Sequence, residues 1–193
     1  MVRRQWGRGR IIAGAGVLAA VATATLIGGQ AIAETAAPSS AAQAHSALPL
    51  VEGTPCTATA RACVDLDSNR AWLLQDGAIV RGPVPVGLGA KDKPTPPGHS
   101  LRVYLKDKDR VSSESSTNGV PDPMPYAVFF NDGGIAFHAG QPDTFSSGCV
   151  KLPLEDAKAW FTHLQVGDQV QVLRASEEYA ERGLAAPATD DEA

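Results

Sequence analysis

The sequence has few of the residues that build metal centres and basic interfaces. It contains three cysteines and four histidines, and His45, His99 and His163 lack the close spacing that a zinc site requires. Acidic residues outnumber lysine and arginine by 21 to 17. This balance argues against nucleic acid as a partner, which needs a basic surface, and against electrostatic adhesion to anionic lipid. We therefore expect no metal site and no nucleic-acid partner.

The first 33 residues have the layout of an export signal. Four arginines lie within the first ten residues, residues 11–29 carry no charge, and Ala31-Ile32-Ala33 has the small-x-small pattern of a signal-peptidase site. We expect residues 1–33 to be a cleaved signal peptide. An uncleaved anchor stays open, because the apolar run is about as long as a membrane span. The domain would then work in the cell wall or extracellular space, or tethered to the outer face of the cytoplasmic membrane.

Composition divides the rest of the chain into three segments. Residues 34–55 are dominated by Ala, Pro and Ser and predict a flexible linker. Residues 56–174 predict one folded domain, and residues 175–193 predict a charged C-terminal tail. Without residues 1–33, the chain has 160 residues with 21 acidic and 13 basic side chains, a formal net charge of −8. This length suits a single domain, which we expect to act as a monomer.

Short alternating segments predict a mainly β fold. Residues 106–120 are polar and predict a long exposed loop. Residues 153–163 predict the one clear helix of the core, with Pro153 at its start and an apolar stripe along one side. The predicted strands cover residues 62–66, 71–74, 78–81, 84–87, 101–105, 126–130, 135–138 and 169–173.

The three cysteines divide into a pair and a single residue. Cys56 and Cys63 have six residues between them, and in a chain that leaves the cytoplasm this spacing predicts a disulfide. Cys149 is then left without a partner. An odd cysteine in an exported protein is either buried and inert or kept free because its thiol is used. The count alone does not decide between these two.

His138 and Cys149 form a candidate catalytic pair. The ten residues between them are enough to turn the chain so that the two side chains meet. A thiol at its ordinary pKa is mostly protonated at neutral pH, and a nearby imidazole supplies the missing base. Gly148 would leave room for a carbonyl substrate, and the amides of Ser147, Gly148 and Cys149 are candidate oxyanion-hole donors. Composition and spacing leave open that both residues only serve packing.

Several motifs resemble the L,D-transpeptidase catalytic domain, also called the YkuD domain. The hallmark of that family is a histidine followed, after a loop, by Ser-His-Gly-Cys, a hydrophobic residue and Arg or Asn. This chain has His138 and then Ser-Ser-Gly-Cys-Val-Lys at 146–151. The resemblance covers about residues 63–174 and implies a mainly β sandwich or barrel with one or two short helices. Co-linear matches are the hairpin at 64–77, Thr95-Pro96-Pro97-Gly98, Met124-Pro125-Tyr126 and the segment 153–170.

The resemblance implies a peptidoglycan L,D-transpeptidase that uses no cofactor. Cys149 would attack a tetrapeptide donor stem and form a thioester, with His138 as general base. The amine of a diamino acid on a second stem would then resolve the thioester into a 3→3 cross-link. An L,D-carboxypeptidase and an inactive peptidoglycan-binding module stay open. A cysteine hydrolase of the NlpC/P60 kind places its cysteine before its histidine, the opposite of the order here.

Two positions depart from the family pattern. Ser147 stands where the family has histidine, and Lys151 stands where Arg or Asn is usual. Ser147 keeps an amide and a small hydroxyl, so we expect activity to survive. Lys151 keeps a positive charge without the bidentate geometry of Arg. Among the other site residues, the Ala139 carbonyl would hold the imidazole, and Lys151, Tyr126 and Ser146 would contact substrate. For Tyr126, packing in the core with its hydroxyl at the surface stays open.

We also form expectations for two predicted loops and for His99. The loops at 106–120 and 139–147 are predicted, from their length alone, to close over the substrate groove. His99 follows the Thr-Pro-Pro-Gly motif but corresponds to no histidine of the family. We therefore expect His99 to have no role.

Overall fold

The computed structural model of the chain describes residues 45–185. The predicted signal peptide, the first part of the predicted linker and the last eight residues of the predicted tail lie outside this range. Within the described range, no helix combines the length and the apolar character that crossing a membrane requires.

Nine strands and two helices lie wholly within the described residues. The helices are α1 (Leu154–His163) and α2 (Ala175–Glu181). The strands are β1 (Ala62–Asp65), β2 (Arg70–Gln75), β3 (Ala78–Pro85), β4 (Gly98–Arg102), β5 (Leu105–Thr117), β6 (Val120–Asn131), β7 (Ile135–Ala139), β8 (Val150–Leu152) and β9 (Gln169–Leu173). This content confirms the predicted mainly β fold with one or two short helices.

The strands form two mixed sheets. The first has the order β3-β2-β1-β9-β4, and β1 and β9 run parallel in it. The second has the order β5-β6-β7-β8, and β7 and β8 run parallel in it. The predicted antiparallel meander is present from β1 to β3. The parallel pairs join strands that are separated by other elements along the chain.

Alternate side chains of both sheets fill one core together with α1. On β1, Val64 belongs to this core, whereas Cys63 belongs to a second cluster on the other face of the first sheet. Phe137 of β7 and Trp160 of α1 are among the largest fully buried side chains of the core. Because neighbouring strand residues face opposite sides, each strand serves both faces of its sheet. Leu154, predicted to belong to the apolar stripe of α1, is instead half exposed.

The second cluster surrounds a disulfide. Cys56 and Cys63 are bonded, which confirms the predicted bridge. Trp72 and Leu74 of β2 pack around it, together with Val51. Val51 is only 5% exposed although it lies in the predicted linker. The folded domain therefore begins before residue 56.

Helix α2, near the C-terminal end of the described residues, packs against the domain. Tyr179 of α2 is buried, and its hydroxyl donates a hydrogen bond to the Thr54 carbonyl at 3.0 Å. Asp65 accepts hydrogen bonds from the amide of Ala175, at the first residue of α2, and from the Ser68 hydroxyl. Residues 175–181, predicted as part of a charged tail, are therefore packed against the domain.

The segment 106–120 forms most of a long hairpin, so the predicted loop is wrong. β5 pairs antiparallel with β6 from Leu105 to Thr117. Asn118 and Gly119 make the turn with φ values of 52° and 78°, and Asn-Gly is a strong signal for a two-residue hairpin turn. The prediction missed this signal because β5 lacks the apolar alternation of a half-buried strand. Most of β5 is exposed and carries polar side chains.

Candidate active site

His138 and Cys149 lie on the same face of the second sheet. Ile135 and Phe137 of β7 belong to the core, so Ala136 and His138 project from the other face. Cys149 packs against the apolar cluster that contains Ala136. Both His138 and Cys149 line a cavity of about 540 Å³. The structure thus brings the predicted pair to one cavity.

The imidazole of His138 is held in one tautomer. Its Nδ1 lies 2.9 Å from the Ala139 carbonyl oxygen, which is the contact expected of Ala139. A carbonyl oxygen only accepts hydrogen bonds, so Nδ1 carries the proton of the neutral ring and Nε2 has a free lone pair. Burial lowers the pKa of His138 below its ordinary value of 6.5. At neutral pH the ring is therefore uncharged and able to accept a proton.

The thiol of Cys149 is neutral at rest. Burial raises its pKa above the ordinary value of 9.0, while a hydrogen bond with the Ala136 backbone and the charge of Lys151 act in the opposite direction. Within the described residues, Cys149 is the cysteine that carries a free thiol. A reactive thiolate therefore has to form by transfer of the proton to a base, and His138 is the base at the same cavity.

The turn before Cys149 is fixed by Ser146. The Ser146 hydroxyl donates to the Cys149 carbonyl at 2.6 Å and accepts from the Gly148 amide at 3.1 Å. This corrects two expectations. The donor hydrogen of Ser146 is used within the turn, so Ser146 positions Cys149 rather than offering that hydrogen to substrate. The Gly148 amide is also engaged, which leaves the amides of Ser147 and Cys149, neither of which has an acceptor within residues 45–185.

Gly148 is required by the backbone as well as by the space around it. Its backbone φ of +110° lies in a region that residues other than glycine rarely adopt. A Cβ added there would come within 2.7 Å of Cδ1 of Ile135. Glycine at this position therefore allows the backbone turn that places Cys149 at the cavity wall.

Lys151 ties the loop at 139–147 to the sheet. It lies opposite His138 in the pairing of β7 with β8 and lines the same cavity. Its Nζ donates to the Thr144 hydroxyl at 2.9 Å and to the Phe145 carbonyl at 2.6 Å. An ammonium has three hydrogens, so one remains for a substrate oxygen.

Tyr126 lies away from the cavity. Its ring packs edge-on against Phe161 of α1 with centroids 5.8 Å apart, and the ammonium of Lys108 lies 5.8 Å from its centroid. Within the described residues, Tyr126 is not part of the wall that contains Cys149. The substrate contact predicted for Tyr126 therefore gains no support from its position, which is that of a packing residue.

Residues of the β5–β6 hairpin form a wall of the cavity that sequence reasoning did not assign. Arg110, Glu114 and Asp122 bring charges of both signs to it, and Met124 contributes an apolar patch. Met124 stands in the Met-Pro-Tyr motif, which was the available signal. The segments 106–120 and 139–147 both border the cavity, and their closure over a substrate stays a prediction.

The segment before β4 supports the catalytic turn. Gly87 pairs with Lys151 and Gly89 with Ser146 through backbone bridges. The Gly89 amide donates to the Thr95 hydroxyl at 2.9 Å, and Thr95 is 4% exposed. A Cβ at Gly87 would lie 2.7 Å from the Thr144 carbonyl oxygen. The Thr-Pro-Pro-Gly motif thus helps to hold the turn that carries Cys149.

One grouping of histidines was missed. His45 and His99 lie with their ring centroids 4.0 Å apart, and the Nε2 atoms of both are 3.1 Å from oxygens of Glu178. Sequence spacing did not indicate that His45 and His99 meet, and the expectations of no metal site and of no role for His99 stay predictions. The residues are 133 and 79 positions from Glu178, so local spacing carried no signal.

Comparisons with known proteins agree with the motifs. The family model of the L,D-transpeptidase catalytic domain (YkuD) matches residues 59–172. A probable L,D-transpeptidase 3 from Mycobacterium tuberculosis is 31% identical over 106 residues, which are 47% of this chain and 38% of the relative. A solved L,D-transpeptidase from Stackebrandtia nassauensis is 30% identical with a TM-score of 0.51, covering 58% of this chain and 54% of that one.

A further solved relative carries a covalent adduct. The Ldtfm–avibactam carbamoyl enzyme is 26% identical with a TM-score of 0.52, covering 60% of this chain and 49% of that one. This chain thus spans about half of the two solved relatives and 38% of the curated one. The family model covers more than half of this chain and includes both His138 and Cys149. The chain belongs to the YkuD family of L,D-transpeptidase catalytic domains.

Proposed function

We propose that the chain is a peptidoglycan L,D-transpeptidase that forms 3→3 cross-links through a thioester on Cys149. The observation that carries this proposal is the placement of Cys149 and His138 on one cavity, with Nδ1 of His138 bonded to the Ala139 carbonyl. Nε2 is thereby left as the atom that can accept a proton. Membership of the family supports the reaction class.

In the first half-reaction, Nε2 of His138 takes the proton from Sγ of Cys149. The thiolate attacks the carbonyl carbon of the third residue of a donor tetrapeptide. The amides of Ser147 and Cys149 are the free donors for the oxygen that becomes negative. The bond to D-alanine breaks, the D-alanine nitrogen takes the proton from His138, and a thioester remains.

In the second half-reaction, the side-chain amine of a diamino acid on a neighbouring stem attacks the thioester carbon. His138 takes a proton from the attacking nitrogen and returns it to the departing sulfur. The result is an amide cross-link and a free Cys149 thiol. If water attacks instead, the product is a shortened stem, which is the L,D-carboxypeptidase outcome. Splitting the transfer into two steps is the usual benefit of a covalent intermediate.

The charges around the cavity suit peptide stems. The remaining hydrogen of the Lys151 ammonium would be available to a carboxylate of the donor stem. Glu114 and Asp122 of the hairpin supply negative charge for the amine of the acceptor stem, and Arg110 supplies positive charge. A cavity with both signs fits a substrate that carries both.

The compartment is part of the proposal. The disulfide between Cys56 and Cys63 supports folding in an oxidising environment outside the cytoplasm. The order of basic head, apolar run and small-x-small site in residues 1–33 supports export by a signal peptide. We expect the domain to act as a monomer on the cell wall.

The test incubates the purified protein with a disaccharide-tetrapeptide. Intact-mass spectrometry follows the protein, and chromatography with mass spectrometry follows the stems. The expected result is an adduct equal to the stem without D-alanine, followed by a cross-linked dimer. Cys149→Ala abolishes adduct and dimer, a loss of at least ~1,000-fold, because the nucleophile is gone. His138→Ala slows adduct formation at neutral pH by about 100-fold or more.

His163→Ala is the matched control, because His163 bonds the Leu74 carbonyl and lies outside the cavity wall. It should leave the rates unchanged. Release of D-alanine without dimer would make the protein a carboxypeptidase. Folded protein that binds stems without adduct or release would be a binding module, with Ser147 marking the lost histidine. Avibactam, which carbamoylates Ldtfm, serves as a second mass label for Cys149.

A further inference from the structure

Three side chains from distant parts of the chain meet beside α2. His45 precedes β1, His99 lies on β4, and Glu178 lies on α2. Nε2 of His45 is 3.1 Å from Oε1 of Glu178, and Nε2 of His99 is 3.1 Å from Oε2. Two imidazoles and one carboxylate thus present their ligand atoms to one point, within 4.8 Å of one another.

The carboxylate is fixed from behind. Glu178 is 4% exposed, and Nε of Arg182 donates to its Oε1 at 2.7 Å. The Arg182 guanidinium also donates to the His45 and Leu48 carbonyls, so it is anchored to the segment that carries His45. Such outer contacts hold a ligand in place and leave Oε2 directed at His99.

A cavity open to solvent reaches two of the three residues. His99 and Glu178 border a cavity of about 230 Å³ that Glu177 and Glu181 also line. The side chain of His99 is 45% exposed, whereas that of His45 is 11% exposed. Arg174 also lines this cavity, but it is outnumbered by the three glutamates, so the lining is negative on balance, and water can fill the remaining coordination positions.

The distances fit one small ion. In a tetrahedral site with bonds of about 2.1 Å, two ligand atoms lie about 3.4 Å apart. The 3.1 Å distances from each imidazole to Glu178 are close to that value. All three ligand atoms lie within 4.8 Å of one another, so small side-chain movements would bring them within bonding distance of one ion. A hydrogen-bonded network alone would also use these contacts, and only binding measurements separate the two.

We propose that His45, His99 and Glu178 bind a divalent transition-metal ion of the Zn²⁺ class. Imidazole and carboxylate are ligands that Zn²⁺ accepts in proteins. The ion would join the segment before β1, β4 and α2, three pieces that no covalent bond connects at this point. Its role would be to stabilise the ends of the domain. The proposal does not depend on the reaction at Cys149.

The test uses the full chain with Cys149→Ala, because a free thiol beside His138 would itself bind the metal, and it uses no polyhistidine tag. Zn²⁺ is titrated by calorimetry and Co²⁺ by visible absorption, without reductant. The expected result is one ion per chain and a rise in Tm of about 5–10 °C when free Zn²⁺ is 100 times Kd.

The variants locate the ion. His99→Ala, at a partly exposed side chain, and His45→Ala should each weaken binding by at least ~10-fold and remove the rise in Tm. His163→Ala, in the same Cys149→Ala background, should bind as before. Circular dichroism checks that each variant is folded. Absence of binding, or binding that His99→Ala leaves intact, would overturn the proposal and leave the cluster as a hydrogen-bonded network.

Discussion

The two sheets of the domain differ in how their faces are covered. In the first sheet, β1 is buried along its whole length and β9 at four of five residues, because apolar clusters pack on both faces. In the second sheet, β5 is mostly exposed, and a small cluster with Cys149 beside it packs outside β6 and β7. The proposed peptide substrate would need an open face, and the second sheet has one.

The first sheet contains the groups expected to stabilise the domain, and the second contains the residues of the candidate active site. The disulfide and a packed cluster of aromatic and aliphatic side chains lie on the first sheet. His138, Lys151 and the turn at 146–149 belong to the second sheet or its edge. Substitutions in the first sheet should therefore change the free energy of unfolding, and substitutions around Cys149 should change the rate.

The largest stability effect is expected at Leu74. Leu74→Ala removes a fully buried side chain and should lower the free energy of unfolding by about 2–5 kcal/mol, measured by urea denaturation. The rate of stem acylation at 20 °C should stay within ~2-fold of wild type where the variant is folded. Val111→Ala, at a half-exposed side chain of β5, is the matched control and should cost less than ~0.5 kcal/mol. Equal losses for both variants would contradict the comparison.

Loss of the disulfide should have the next largest effect. The double change of Cys56 and Cys63 to alanine frees a loop with a sequence separation of 7, which in the chain-entropy account costs about 2–3 kcal/mol. Denaturation of wild type with and without reductant gives the same comparison without mutation. Acylation by folded protein should continue, because the bridge lies on the sheet that does not carry Cys149. A matching loss of rate would show that the first sheet controls the site.

Gly148→Ala should, unlike the two changes in the first sheet, lower the rate of acylation strongly. The φ of +110° strains any residue with a Cβ, and the added Cβ would also displace the end of the Ile135 side chain, so the cost in stability is about 1–3 kcal/mol. Because the turn positions the nucleophile, acylation should fall by about 100-fold. Gly167→Ala is the control: its φ is +97°, yet nothing lies within 4 Å of the added Cβ and the residue is outside the cavity wall. It should share the stability cost and keep the rate.

The pH dependence of acylation is the smallest expected effect. His138 must be uncharged to accept the thiol proton, and burial lowers its pKa below 6.5. Activity is therefore retained as pH falls to 6.5 and is lost only below that value. The Lys151 ammonium also lowers the pKa of His138. Lys151→Met should move the acidic limb of kcat/KM to higher pH, and an unmoved limb would assign it to another group.

The sequence patterns correctly predicted those elements whose structure depends mainly on residues close together in the chain. Strand β9 was predicted with its observed bounds, and α1 was predicted to within one residue. The gap between the predicted strands at 126–130 and 135–138 coincides with the turn between β6 and β7, where Asp132-Gly133-Gly134 favours a tight reversal. The order of His138 and the Ser-Ser-Gly-Cys turn pointed to the catalytic pair. Each of these signals is contained in a short stretch of chain.

The misses depend on contacts between distant residues. The strand at β5 is held by pairing with β6 and has little apolar pattern of its own, so its polar sequence suggested a loop. Val51 and α2 were assigned to a linker and a tail because the buried partners that receive them lie elsewhere in the chain. Tyr126 was expected near substrate, but packing against Phe161 decides its position.

The sequence by itself determined the family, the mainly β class and the disulfide, and it predicted the candidate catalytic pair, because motif order and residue spacing carry that information. Only the tertiary structure decided which amides remain free near Cys149, which residues of the hairpin line the cavity, and that His45 and His99 meet at Glu178. The histidines lie 133 and 79 residues from Glu178 along the chain. Their proximity is set by the packing of the whole domain, which no local pattern encodes.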